Sequence, residues 1–132
     1  MENCIFCKII KKEIPSYTVY EDQNFLAILD IHPRSPGHIL IIPKVHYRWV
    51  WDVPSDGNNG SNIREYFAVA QKIARAQQKA FNQEMILSKI YGEDVSHAHI
   101  WIYPHEDTDG DKNDLEGNKK RIIEALKSLE KQ

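Results

Sequence analysis

His97-Ala98-His99-Ile100-Trp101-Ile102-Tyr103-Pro104 is the stretch on which the fold turns. Its alternation of polar or aromatic with apolar residues has the period of a β-strand, whose side chains point to opposite faces in turn. His97, His99 and Trp101 then share one face, and Ala98, Ile100 and Ile102 face a core. Same-face neighbours on a strand stand ~6.5–7 Å apart, so two imidazoles can address one ligand. An ordinary solvated strand face reads equally well from two histidines alone.

Outward from this strand, Met85 to Tyr91 reads as its partner, joined through Gly92-Glu93-Asp94. Upstream, Thr18–Glu21, Phe25–Ile31 and the isoleucine-rich Ile39–Pro43 are β-like runs. His32-Pro33-Arg34-Ser35-Pro36-Gly37 between the last two has the chemistry of a hairpin turn. Ser61 is positioned to cap a helix over about 62–82, with Ile63, Phe67, Val69, Ala70, Ile73, Ala74 and Ala80 at helical spacing. A second helix is expected over Leu115–Glu130, on Ile122, Ile123, Leu126 and Leu129. A short helix within Ile5–Ile14 ends before Pro15. Asp52–Ser61 and Glu106–Lys112 read as loops. Strands, helix, strands, helix is the order of an α+β domain: an antiparallel sheet with two main helices, over residues 1–132 as a single domain.

The 132 residues carry 17 basic and 19 acidic side chains, a formal net charge of −2. Such a balance gives no electrostatic footprint for nucleic acid or an anionic membrane. Met1-Glu2-Asn3-Cys4 opens without a basic or apolar leader, and no apolar run approaches the ~20 residues of a membrane-spanning helix. A cytoplasmic protein is expected, in which Cys4 and Cys7 do not form a structural disulfide. On spacing alone the pair reads as free thiols ahead of zinc ligands. The absence of His-Glu-x-x-His excludes the helical metalloprotease pattern.

The strand 97–104, preceded by Gly92-Glu93-Asp94-Val95-Ser96 and ended by Pro104, resembles the signature of the histidine triad (HIT) superfamily. Phe25–Asp30 followed by Pro36-Gly37-His38-Ile-Leu-Ile-Ile-Pro43-Lys44-Val45-His46 is similar to the family's nucleoside-binding hairpin. Cys4-Ile-Phe-Cys7 is similar to the N-terminus of its zinc-carrying members. The resemblance runs from Cys4 to about Pro104 and implies a HIT-like fold. It makes His99 the nucleophile at the α-phosphate of a purine nucleotide or nucleotide conjugate, through a nucleotidyl-histidine intermediate. A neutral imidazole can attack without a separate base. It places His97 and His38 beside that nucleophile, although a structural role for His38 fits equally. Asp30 falls where ribose hydroxyls are held, with a turn-closing role as its rival, and Ile31 falls beside the base. Glu93, Val95 and Trp101 fall along the nucleotide. Cys4, Cys7, His46 and His97 would hold a structural zinc, and a homodimer is implied. His32 and His105 read as surface histidines, and Trp49 and Trp51 as interface or core.

Three positions and one upstream stretch depart from the pattern. Trp101 replaces the third histidine and offers one N–H but no proton shuttle. Glu93 and Asp94 stand where relatives have a phosphate donor and a Ser or Thr, and ionised carboxylates repel phosphate. Ser88-Lys89-Ile90-Tyr91 lacks the usual Asn-x-Gly. The expected activity is hydrolysis or nucleotidyl transfer. The alternatives are a catalytically weak nucleotide-binding or sensing module, and a small zinc-stapled interaction protein.

Overall fold

In a computed structural model, described over residues 3–56 and 58–131, the isoleucine-rich hairpin forms the middle of a five-stranded antiparallel sheet. The first two residues and the loop glycine Gly57, both read above, lie outside the described residues. β1 (Thr18–Glu21), β2 (Phe25–Leu29), β3 (Ile39–Pro43), β5 (Ile100–Pro104) and β4 (Ile86–Lys89) lie side by side in that order. Every residue of β2, β3 and β5 is buried. Sheets covered on both faces read as unbroken apolar runs, which is why FLAIL and ILIIP show no alternation.

One face carries the main core. α2 (Ile63–Phe81) and α3 (Leu115–Glu130) lay Tyr66, Val69, Ile73, Ile122 and Leu126 against Phe25, Ile39, Ile41, Ala98, Ile100 and Ile102. Tyr66 stacks on Phe25 and donates its hydroxyl to the Ile41 carbonyl at 2.7 Å. The opposite face carries Leu26, Ile28, Leu40, Ile42, Trp101 and Tyr103, partly covered by Phe6 and Ile9 of α1 (Ile5–Ile10). The face assignment read from 97–103 holds at each of these positions.

The boundaries differ for local reasons. The ladder of β5 begins at Ile100, not His97. Ile41 pairs with Ile100, so the register carried backwards sets Ala98 opposite Pro43, which has no N–H to give. Ala98 donates instead to the Tyr47 carbonyl at 2.7 Å. β4 spans four residues rather than seven. α1 stops at Ile10, and Lys12 takes a left-handed φ of 67° two residues later. The cap of α2 is Asn62, whose side chain accepts from the Glu65 N–H at 2.9 Å, rather than Ser61. Gly37, at φ +77°, closes the β2–β3 turn against the Phe81 ring, which any Cβ there would strike. No helix of the described residues is long and apolar enough to cross a membrane.

Candidate active site and metal centre

His97 and His99 are both buried on the α1 side of the sheet, each meeting the Phe6 ring edge-on. His99 donates its Nδ1–H to the His97 carbonyl oxygen at 2.7 Å. A carbonyl can only accept, so this bond fixes the proton on Nδ1 and leaves Nε2 as the nitrogen facing the site. That acceptor cannot be read from sequence, because it belongs to the backbone. Nε2 stands 2.8 Å from Oδ1 of Asp94, a side chain about 41% exposed. The residue that sequence reading marked as a departure therefore lies directly on the candidate nucleophile.

The His97 ring faces the other way chemically. Its Nε2–H donates to the Pro43 carbonyl at 2.8 Å, and its Nδ1 points at two thiols, 3.3 Å from Cys4 Sγ and 3.5 Å from Cys7 Sγ. His46 Nδ1 is 3.2 Å from Cys7 Sγ. The four donor atoms of Cys4, Cys7, His46 and His97 lie within 4.8 Å of one another. Two sulfurs and two imidazole nitrogens are the donor set of a tetrahedral zinc site, and a ligating histidine that donates its far N–H to a carbonyl is the usual supporting contact. The residues fit such an ion. Burial pushes the His97 imidazole down to about 4, which keeps the ring in the neutral form a metal requires. Burial, reinforced by the adjacent Cys4, pushes the Cys7 thiol up to about 11.

A second cluster occupies the same face beyond Trp101. His38 is fully buried, accepts the Arg34 N–H at Nδ1 (3.1 Å), and points Nε2 toward Asp30 Oδ2 at 3.6 Å. Burial pushes its imidazole down to about 4; the Asp30 carboxylate opposes this and the Arg34 charge adds to it. Asp30 fulfils the turn-closing reading through Oδ1, which accepts from the His32 N–H at 2.8 Å, and keeps Oδ2 for the site side. Trp101 packs 4.9 Å from His38, ring to ring. The indole Nε1–H of Trp101 and His38 Nε2–H are buried without a hydrogen-bond partner among the described residues. The Arg34 guanidinium lies 5.0 Å above the Trp101 ring and the Lys89 ammonium 5.3 Å from it, with Tyr91 at its edge.

The site thus unites His97, His99, Trp101, His38 and Asp30 on one face. Val95 is half-buried beside them, whereas Ile31 and Glu93 are exposed. His32 is exposed as expected, and His105 pairs with Asp107 at 2.8 Å. Trp49 and Trp51 are 41% and 70% exposed, which removes the core reading for both. Arg34 and Lys89 were missed. Lys89 sits directly across from Trp101 in the β4–β5 register, so the pairing would have found it had the register been known.

The HIT domain family matches residues 11–108. An uncharacterized HIT-like protein of Methanocaldococcus jannaschii is 38% identical over 110 residues, covering 82% of this chain and 83% of that one. Adenosine 5'-monophosphoramidase HNT1 of Saccharomyces cerevisiae is 37% identical over 105 residues, covering 79% and 63%. The crystal structure of a zinc-bound histidine triad family protein from Mycobacterium smegmatis superposes with a TM-score of 0.81 at 30% identity, covering 98% and 97%. With two buried histidines leading into β5, the hairpin beside them and these likenesses over most of its length, the chain belongs to the HIT family.

Proposed function

We propose that the chain is a nucleotidyl hydrolase or transferase acting at the α-phosphate of a purine nucleotide conjugate through His99. The observation that carries this reading is the fixed tautomer, with Nδ1–H on the His97 carbonyl and Nε2 directed into the site. In the first step Nε2 attacks phosphorus, the N–P bond forms, and the bond to the leaving group breaks. In the second, an oxygen of water or another acceptor attacks phosphorus and the imidazole leaves with its electron pair restored. Asp30 holds the ribose hydroxyls through Oδ2, and Ile31 and Val95 flank the nucleoside. Glu93 lies at the mouth of the site. Arg34 and Lys89 supply positive charge beside Trp101, which Asp94 on His99 opposes. His38 supports Trp101 and Asp30 from beneath. The similarity to a yeast adenosine 5'-monophosphoramidase supports an adenylyl donor with an amine leaving group.

Cys4, Cys7, His46 and His97 hold a structural zinc in this reading, supported by their donor set and by the zinc-bound relative. Bound there, the ion would supply a cross-link between α1, the segment after β3 and the segment leading into β5. A homodimer is part of the same proposal and is checked by light scattering.

The test is AMP release, followed by phosphorus NMR, from adenosine phosphoramidate and diadenosine polyphosphates. His99→Ala is expected to abolish release while leaving zinc content unchanged. The second reading, a nucleotide-binding module with little turnover, is favoured by Asp94 on Nε2 and by the missing third histidine. It predicts saturable AMP binding without release.

A further inference from the structure

The contact between Asp94 and His99 opposes the chemistry proposed for the site. Oδ1 lies 2.8 Å from Nε2, and Nε2 is the only ring nitrogen not already committed to the backbone. Asp94 Oδ1 therefore occupies the approach to the one ring nitrogen that is open to a ligand. A phosphoryl group approaching Nε2 must enter the space this carboxylate fills. The two groups are alike: each presents an anionic oxygen to the same ring nitrogen.

The side chain is placed to leave. Asp94 is about 41% exposed, whereas the His99 side chain it covers is about 1% exposed. Residues 93–96 form bends outside the strand ladders, entered through Gly92 at φ +78°. The backbone on which His99 sits is held at Ala98 and Ile100, so the pair opens by motion of the acid and not of the histidine.

We propose that Asp94 is a phosphate surrogate: it caps the attacking nitrogen of His99, and a nucleotide phosphate binds by displacing it. Asp94 therefore sets the phosphate affinity of the site. This rests on the reading of His99 as the nucleotide-facing nucleophile. It separates ligands by how strongly they replace the cap. A monoanionic phosphodiester or phosphoramidate anchored by its nucleoside can displace it. Free inorganic phosphate, without that anchor, cannot do so readily.

The experiment uses the full zinc-loaded chain as wild type, Asp94→Ala and Asp94→Asn, with two readouts. The first is the rate at which diethyl pyrocarbonate acylates His99, mapped by peptide mass spectrometry, with exposed His32 as the internal reference. This reagent needs a free imidazole nitrogen, so uncapping is expected to accelerate His99 by about tenfold in Asp94→Ala while His32 is unchanged. The second is the AMP dissociation constant, expected to tighten by about tenfold in both variants, as removal of a like charge within a few ångströms allows. Equal acylation rates in wild type and Asp94→Ala overturn the cap. Weaker AMP binding in the variants also overturns it, because Asp94 would then be holding the ligand. Accelerated acylation with no AMP bound by any of the three proteins supports the cap while removing the nucleotide reading on which its purpose rests.

Discussion

Burying His38 has a consequence for stability that can be worked out in sign. Its ordinary value is 6.5, and in the fold it titrates at about 4. Between those values the unfolded chain holds a proton that the folded chain refuses. Stability is therefore fully present above about pH 6.5 and is lost as pH falls toward 4, by about 1.4 kcal/mol per unit. Urea unfolding at pH 7 and pH 5 is expected to differ by roughly 2 kcal/mol from this residue. His97, pushed down likewise, contributes a similar slope when no metal is bound. His38→Asn, which keeps an acceptor for the Arg34 N–H, isolates the part belonging to His38. A slope unchanged in that variant would assign the whole effect to other groups.

Among the elements, α2 is fastened to the sheet by two polar side chains, Tyr66 on the Ile41 carbonyl and Gln77. Gln77 is fully buried and its Nε2 donates to two carbonyls, those of Gly37 and Ile102, each at 2.9 Å. It thereby joins the turn before β3 to the strand β5 from beneath. Gln77→Leu keeps the volume and takes a donor from both carbonyls, while removing an Oε1 that has no partner among the described residues. The net cost is expected near 2 kcal/mol, read as a lower urea midpoint with an unchanged m-value. The same elements mark the limit of sequence reading. The face assignment of Ala98 through Tyr103 needed only the two-residue period, and α3 needed only its apolar stripe. The start of β5 depended on a proline in another strand, and the contact of Asp94 with His99 on a loop that no period specifies. Its charge was legible as a misfit; its position was not.

Across the whole molecule, the N-terminal helix is the element with least to hold it. α1 has six residues, far below the length at which an isolated helix persists, and buries only Phe6 and Ile9. Beyond these and the partly buried Ile10, it is attached by the convergence of Cys4 and Cys7 on His46 and His97. With zinc in that site, chelation or Cys4→Ser is expected to lower the melting temperature by roughly 10 °C. Hydrogen exchange should then lose protection over residues 5–10 while the amides of β2 and β3 keep theirs. An unchanged transition would show that the two apolar side chains suffice.

The double use of His97 reaches further than stability. Its ring belongs to the thiol cluster and its carbonyl orients the ring of His99, two residues along the chain. A redesign that exchanges the ligand set for another metal, or deletes it to simplify production, therefore also re-aims the nucleophile. The two properties form a single design variable, and a library that diversifies Cys4, Cys7 or His46 samples reactivity whether or not its maker intends it.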